Sequence, residues 1–286
     1  MSRSNCSALS TIFSFSSEMV SPYTKREERQ AKDCYDLEST SMGMNPLSPW
    51  LDNVLWPSMT EASWNDADGN PVFDSEAMRL AYSAQKELID YQGGYAVATG
   101  WESDFGPARG SVTDPILTGE AGFLLLPDSA ISSIYNAGVE AGYAYGEDWG
   151  IARVPGKSMF TAAVYEMNAK TKNPEASWEV MSYLNSKEAM TYLAEGEKGV
   201  GALMPRKSAL DALSEKEGVC DALKEVAVLL KEADLQSFPM SGYVNEYLGA
   251  IGNNMTAYME GTMDMDTAVS NIQEEVQAAA DAFNGK

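Results

Sequence analysis

The chain has 286 residues, of which 44% are hydrophobic and 22% are charged, as in folded globular domains rather than disordered chains. This length suffices for one large domain or two smaller ones. The formal net charge of −22 opposes binding to nucleic acid and to anionic lipid surfaces, because phosphate contacts need Lys and Arg, and the chain has 20 of these against 42 Asp and Glu. We therefore expect no nucleic-acid partner.

The sequence contains no histidine. This excludes Ser-His-Asp and Cys-His catalytic arrangements and most zinc sites, since each of them needs an imidazole. The three cysteines, Cys6, Cys34 and Cys220, are too few and too scattered for a metal cluster or a disulfide framework. No apolar run approaches the roughly 18 residues that span a bilayer. We expect no metal, no cofactor and no direct membrane insertion.

The first 44 residues differ from the rest of the chain. They are Ser-rich and show no sustained apolar period, so we expect poor order with at most a short helix around residues 25–35. Cys6 suggests a lipid-attachment cysteine, but the preceding MSRSN lacks the apolar region of a secretory signal. We expect no signal segment in this chain.

A tight turn and a helix follow a segment rich in Pro and Trp. The sequence DADGN over residues 66–70 predicts the turn, because Asp-Gly supplies the positive φ that tight turns need. A calcium loop is the alternative, but its later ligands and its closing Glu are absent. Ser75 then precedes an apolar stripe from Ala77 to Tyr91, which predicts a capped scaffold helix.

The segment over residues 119–155 predicts a strand, a short helix and a second strand. Residues 121–126 form an apolar run too short for a free-standing helix, so we predict a buried strand. Asp128 or Ser129 can cap a helix over about residues 130–136, which Gly138 ends. In open α/β sheets ligands lie where strand ends meet helix N-termini, so this corner is the first candidate site.

The later elements include two more strands and a series of helices. Residues 149–154 and 159–167 have the composition of strands. Asn173 and Ser186 can each cap a helix, and Trp178 lies on the apolar stripe of the first one, where we expect it to be core. Further helices are predicted over residues 208–213, 219–233, 244–260 and 267–283. Early alternation followed by helices alone predicts an α/β domain with C-terminal helices.

Aromatic residues on loops and at element ends carry the strongest functional signal. A sugar ring has an apolar face and a polar edge, so an aromatic platform with Asp, Asn or Arg beside it can bind one. The loop over residues 94–109 combines Trp101 with Asp104, and Trp149 ends another loop. For each such aromatic the alternative is a partly buried packing residue.

The order of five stretches resembles a known family. They are DSEAMRLAYSAQKELIDYQGG, GEAGFLLLPDSAISSIYNAGVEAGYAYGEDWGIARVP, KNPEASWEVMSYLNSKEAMTYL, GVGALMPRKSAL and FPMSGYVNEYLGAIGNNMTAYMEGTMDMDTAVSNI. From about Asn45 to the C-terminus the chain resembles extracellular solute-binding proteins of the sugar-binding type. These are the maltose-binding-protein-like substrate-binding components of bacterial ABC importers.

The resemblance implies a periplasmic-binding-protein-like (type II) α/β fold. Residues 45–157 and 205–286 then form one lobe with the C-terminal helices, and residues 158–204 form an incomplete second lobe with hinge crossings at 158–161 and 202–205. Residues 1–44 do not resemble the opening of the family. The resemblance therefore implies that the N-terminal part of a complete receptor, a signal segment followed by an α/β lobe, is missing here.

The resemblance also proposes ligand-binding residues. At the corner after the central strand the family carries a tryptophan that stacks on the sugar, whereas this chain has Pro127, Asp128 and Ser129. Either the ligand is smaller or more polar than a typical oligosaccharide, or another aromatic stacks on it. The full set of ligand-binding candidates is Trp50, Trp56, Trp101, Asp104, Asp128, Ser129 and Tyr243.

The expected function is that of a substrate-binding component of an ABC importer, without catalysis. The implied partners are a mono- or oligosaccharide and the membrane permease, and the implied location is extracellular or periplasmic and associated with the cell surface. One alternative is a noncatalytic acidic interaction domain that docks a basic partner. A further alternative is a carbohydrate-active enzyme, since 42 acidic residues allow many carboxylate pairs.

A receptor that lacks most of one lobe should bind its sugar poorly. Half a cleft loses most of its affinity, because such receptors hold the ligand between two lobes. Apolar faces around Val164, Met181 and Leu184 would be left exposed. We expect weak or no sugar binding by this chain, and self-association through residues 158–204.

Overall fold

The structure is a computed structural model that describes residues 35–36, 41–44, 46–47, 52–161, 165–195, 203–238 and 241–285. The helix predicted around residues 25–35, the candidate Trp50 and Val164, which was expected to be exposed, lie outside the described residues or at their edge.

The described chain is rich in helices and has short strands. In chain order the elements are β1 (Tyr35–Asp36), β2 (Ser41–Met44), α1 (Asp52–Met59), α2 (Glu76–Tyr91), α3 (Tyr95–Phe105), α4 (Pro115–Thr118), β3 (Ala121–Phe123), α5 (Ile131–Ala141), β4 (Ser158–Phe160), α6 (Pro174–Leu184), α7 (Lys187–Ala194), α8 (Lys207–Glu215), α9 (Asp221–Glu232), β5 (Leu235–Ser237), α10 (Val244–Met259) and α11 (Met265–Phe283). Short 3-10 turns cover Gly106–Ala108 and Asp128–Ala130.

The strands form two small sheets. In the first, β2 lies between β1, which is antiparallel to it, and β3, which is parallel to it with Met44 opposite Phe123. In the second, β4 and β5 run parallel, with Ser158 opposite Leu235. A parallel pair needs a long connection, and here this connection contains α6 to α9. The predicted hinge crossing at 158–161 therefore pairs with residues 235–237, and its hinge role stays a prediction.

The largest core lies among α2, α10 and α11. Tyr247 is fully buried there, and its hydroxyl lies 3.1 Å from the carbonyl oxygens of both Trp64 and Val72. Gln273 accepts from the backbone N–H of Phe73 at 2.7 Å and donates to the carbonyl oxygen of Pro71 at 3.0 Å. These bonds tie the turn before α2 to the C-terminal helices.

Several predicted elements match the structure. The Ser75 hydroxyl caps α2 by accepting from Met78 at 3.2 Å, and the Ser186 hydroxyl caps α7 by accepting from Ala189 at 3.1 Å. The DADGN sequence forms the predicted tight turn, in which the Asp66 carboxylate accepts from the backbone N–H groups of Asp68 and Asn70.

Other predicted elements are wrong in extent. The strand predicted over residues 121–126 forms as β3 and ends at Phe123, because its partner strand β2 ends at Met44. Phe123 is 52% exposed, whereas the prediction had it buried. No strand forms over residues 149–154, since Trp149 makes an isolated bridge to Tyr145 and packs into a core. Helix α5 continues through Gly138 and ends at Ala141, before Gly142 with its left-handed φ of 85°. Gly138 instead allows close packing, since a Cβ there would lie 3.2 Å from the Trp149 indole nitrogen.

Helix α6 differs from the other long helices because none of its residues is buried. Trp178 is 65% exposed, and Val180 and Tyr183 are each 59% exposed. The prediction that Trp178 is a core residue is therefore wrong. Within the described part of the chain no element covers these side chains.

Candidate functional site

The chain turns sharply after β3, at the corner chosen from the sequence. Residues 124–126 leave the sheet, and Pro127 has the extended φ and ψ of −71° and 155°. Proline has no N–H to offer a sheet, so it ends the extended run. The 3-10 turn Asp128–Ala130 then leads into α5.

Asp128 does not cap α5, contrary to the sequence prediction. The N-cap of α5 is Ala130, which has no side-chain capping bond. Instead, the Asp128 carboxylate reaches across to residue 203 and accepts a hydrogen bond from the backbone N–H of Leu203 at 2.5 Å. Ser129 is exposed beside it.

The Asp128 side chain is half-buried, and this partial burial affects the pKa of its carboxyl group. Burial raises the pKa of Asp128 above its ordinary value, and the bonds from the backbone N–H groups of Leu203 and Ser129 oppose that rise only in part. Among the described residues the carboxylate forms no ion pair. A buried acid without a cation is costly unless a ligand compensates for it.

Asp128 lies in the wall of a cavity of about 280 Å³. The corner, β4, β5 and α9 all contribute residues to its lining. Its exposed lining residues, among them Pro127, Ala152 and Thr161, leave it partly open to solvent. The volume lies just below the range of about 300 to 1,000 Å³ typical of small-molecule sites.

Polar side chains are few in this cavity. They are Asp128, Arg153, Ser158 and Thr161, whereas the other lining side chains are aliphatic apart from Pro127, Met159 and Phe160. Arg153 Nη1 donates to the carbonyl oxygen of Glu232 at 3.2 Å, which places its guanidinium at the C-terminal end of α9. The site can therefore accept hydrogen bonds at Asp128, and it can both donate and accept them at the hydroxyl groups of Ser158 and Thr161.

The tryptophan candidates lie elsewhere in the structure. Trp56 is fully buried, and its indole N–H donates to the carbonyl oxygen of Pro46 at 3.1 Å. Trp101 is 3% exposed and packs against Phe105 with ring centroids 5.1 Å apart. Both belong to hydrophobic clusters, which is the packing alternative that the sequence left open.

The remaining candidates are likewise not at the cavity. Asp104 is exposed on α3, and Tyr243 is 7% exposed against Phe283 with ring centroids 6.1 Å apart. Of the described candidates, Asp128 lines the cavity, whereas Ser129, Trp56, Trp101, Asp104 and Tyr243 do not. A ligand-binding role for these five stays a prediction.

Sequence reasoning missed one wall of the cavity. Val226, Leu229, Leu230 and Ala233 on α9 all line it, together with Leu203. The spacing of i, i+3, i+4 and i+7 was visible in the sequence, but it is the ordinary signature of a helix face packed on a core. Only the three-dimensional arrangement shows that this face borders an open space.

No group of three or more Cys, Asp or Glu residues in the described ranges could hold a metal ion. None of the described helices is both long and apolar enough to cross a bilayer.

Comparison with solved structures places the fold. The chain is similar to CpMnBP1 with mannobiose bound, with a TM-score of 0.60 and 14% identity over 83% of this chain and 58% of that one. It is also similar to a "putative oligosaccharide periplasmic-binding protein" from Synechococcus sp. MITs9220, with a TM-score of 0.59 and 16% identity over 84% of this chain and 61% of that one. No protein-family model and no curated protein matches the sequence.

These likenesses confirm the predicted fold class, an α/β, periplasmic-binding-protein-like fold with C-terminal helices. At 14% and 16% identity they speak for the fold alone. The chain spans less than two thirds of the length of either neighbour, since it covers 58% of one and 61% of the other.

Proposed function

We propose that this chain is a substrate-binding component of an ABC importer that binds a carbohydrate without catalysis. Its partners are a mono- or oligosaccharide and a membrane permease, and it works outside the cell or in the periplasm. The proposal rests on the fold, which it shares with one protein solved with mannobiose bound and with another named for oligosaccharide binding. The finer assignment to an importer follows from the sequence resemblance.

The position of Asp128 is the observation that carries the proposal. Its carboxylate lies at the corner after β3, in the wall of a partly open cavity, and within the described residues it has no cationic partner. A carboxylate there can accept hydrogen bonds from ligand hydroxyl groups, which are then worth more than in water. Such a group is more useful for binding than for stability, because its burial is unfavourable.

The same geometry supports binding rather than hydrolysis. Glycoside hydrolysis needs two carboxyl groups on either side of the scissile bond. Among the described residues that line the cavity, Asp128 is the single acidic one. The cavity therefore supports recognition of a sugar, and an enzyme reading would need a second acid that the described lining does not provide.

Titration calorimetry and ligand-observed NMR test the proposal. The purified chain is titrated with a panel of mono- and oligosaccharides that includes mannobiose. Because the cavity is open on one side, we expect saturable but weak binding, with a Kd of about 0.1 to 1 mM for the best sugar. Asp128→Asn is expected to weaken it about tenfold or more, since a hydrogen bond to a charged acceptor is lost.

Asp68→Asn is the matched control, since Asp68 is exposed in the turn at 66–70 and the exchange is chemically the same. It should leave the Kd unchanged. A folded chain that shows no saturable binding to any sugar up to about 10 mM would refute the proposal. Release of a product from any glycoside would instead establish the enzyme alternative, and selective binding of a basic protein would favour the interaction domain.

A further inference from the structure

We propose that the cavity beside Asp128 binds an amino sugar, a single pyranose ring whose protonated amino group pairs with the Asp128 carboxylate. The inference rests on the proposed function and names the ligand class of the same site. Its starting point is a negative charge in a mostly apolar cavity, for which the described residues provide no ion-pair partner. A protonated amine of the ligand would supply that partner.

The Asp128 carboxylate is hydrogen-bonded but not neutralised. The backbone N–H of Leu203 donates to its Oδ2 at 2.5 Å, and the backbone N–H of Ser129 donates to the carboxylate as well. These groups are dipoles without a net charge, so the carboxylate keeps its negative charge at a half-buried position. A carboxylate has about four lone-pair sites, and two bonds therefore leave it able to accept from a ligand.

Arg153 is the single cation among the described residues that line the cavity, and it does not neutralise Asp128. The two side chains form no ion pair, and Arg153 is not among the groups that shift the pKa of Asp128. Arg153 is exposed, and its bond to the carbonyl oxygen of Glu232 places its charge at the negative end of the α9 dipole. The cation of the lining thus has a partner within the fold, whereas the anion lacks a cationic one.

An ammonium group suits the free side of Asp128 better than a hydroxyl or a carboxylate group does. A hydrogen bond between two oppositely charged groups is shorter and stronger than one to a neutral donor. At a half-buried position, solvent and salt also weaken the attraction less than they do on an open surface. An acidic sugar would be repelled by Asp128 and by a chain of net charge −22, which attracts cations instead.

The volume and the other lining groups fit one sugar ring. An apolar cavity of about 150 Å³ holds benzene, so the volume of about 280 Å³ admits one pyranose ring with its hydroxyl groups. Ser158 and Thr161 offer hydroxyl groups that both donate and accept, as those of a sugar do. The aliphatic side chains of the lining can contact the C–H groups of the ring. We therefore expect hexosamines such as glucosamine to bind best among monosaccharides.

Amino sugars and their parent hexoses provide the test, because the members of each pair differ in one group. The Kd values of glucosamine and glucose, and of mannosamine and mannose, are measured on the full chain at pH 6.5 by calorimetry and ligand-observed NMR. We expect the amino sugar of at least one pair to bind about tenfold tighter than its parent. A rise from 0.02 to 0.5 M sodium chloride should reduce this ratio, because salt screens the charge pair.

Asp128→Asn removes the charge and keeps a side-chain acceptor, so it should reduce the ratio to below about twofold. Glucose should then bind about tenfold more weakly than to the parent chain, and glucosamine about 100-fold more weakly. Asp68→Asn makes the same exchange at an exposed position and should keep the ratio. Circular dichroism verifies that both variants are folded.

The outcomes separate this inference from the proposed function. Equal affinities within both pairs would overturn the inference and leave sugar binding intact. An unchanged ratio in Asp128→Asn would overturn it as well, because the amine would then bind elsewhere, and so would tighter binding of glucuronate than of glucosamine, which would favour Arg153 as the recognition group. If no sugar bound to the folded chain, or if cyclohexylamine bound as tightly as glucosamine, the proposed function itself would fail.

Discussion

At the scale of single residues, Asp128 is where stability and the proposed function oppose each other. Its carboxylate lies in the wall of a mostly apolar cavity and accepts hydrogen bonds from the backbone N–H groups of Leu203 and Ser129. Asp264 provides the contrast at a purely structural position. It is exposed and caps α11 by accepting from the backbone N–H and the hydroxyl of Thr267, at 2.8 and 3.1 Å. The surroundings disfavour the ionised form of Asp128 and favour the ionised form of Asp264.

The two acids should therefore respond to pH with opposite sign. Burial raises the pKa of Asp128 above the ordinary 3.8, so the folded chain holds this proton more tightly, and ionisation removes stability as the pH rises above that value. Asp128→Asn keeps an acceptor for Leu203 and carries no charge. We expect its melting temperature to exceed that of the parent at pH 7, with the difference closing as the pH falls towards 3.8.

Asp264→Asn is the control of opposite sign. Hydrogen bonds from Thr267 lower the pKa of Asp264, so its contribution to stability is present above the ordinary pKa and disappears as the pH falls through the lowered one. This variant should melt below the parent at pH 7 and approach it in acid. Thermal unfolding followed by circular dichroism between pH 3 and 7 checks both. A lower melting temperature of Asp128→Asn at pH 7 would show that the ionised Asp128 stabilises the fold.

At the scale of elements, local signals predicted helices well and strands poorly. The stripe from Ala77 to Tyr91 and the cap at Ser75 depend on neighbours in sequence, and both are present in α2. The strand predicted over 149–154 depends on a partner strand, and no partner lies beside it in the described chain. Strand formation is a tertiary property, so composition alone could not predict its absence.

In the candidate site, too, local features could be predicted from the sequence and tertiary contacts could not. The corner at Asp128 could be located from the sequence, because proline and an acid directly after an apolar run mark an element boundary. The bond from Asp128 to Leu203 spans 75 positions in sequence, and no local pattern indicates it. Likewise, the sequence placed Trp56 among the loop aromatics and Trp178 on an apolar helix stripe, but it could not tell that Trp56 is fully buried and that Trp178 is 65% exposed.

Ser75 and Asn173 are both predicted to cap a helix, but they should contribute differently to the free energy of unfolding. The Ser75 side chain accepts a hydrogen bond from Met78, whereas Asn173, before α6, makes no side-chain capping bond. Ser75→Ala should lower the free energy of unfolding by about 1 kcal/mol, within a usual range of about 0.5 to 2 kcal/mol. Asn173→Ala should change it by less than about 0.3 kcal/mol. Urea unfolding measures both, and equal losses would mean that Asn173 caps α6 after all.

At the scale of the whole molecule, charge and exposed apolar surface act against each other. The net charge of −22 repels copies of the chain from one another. Helix α6 has no buried residue, and Trp178, Val180 and Tyr183 are more than half exposed on it. Tyr192 on α7 adds a further aromatic ring that is 52% exposed. An 11-residue helix is only marginally stable by itself in water, so we expect α6 to pack against another apolar surface.

Self-association through α6 should therefore depend on salt. Repulsion between like charges is screened over about 30 Å at 0.01 M salt and about 3 Å at 1 M, whereas apolar contacts persist. We expect the weight-average mass from light scattering to rise with protein concentration, and to rise more at 0.5 M than at 0.02 M sodium chloride. The double variant Trp178→Ser/Val180→Ser should remain monomeric under both conditions. Val139→Ser removes a valine that is 62% exposed on α5, and it should associate as the parent does. Equal masses for the parent and the double variant at high salt would show that α6 does not mediate association, and the exposed helix would then need another explanation.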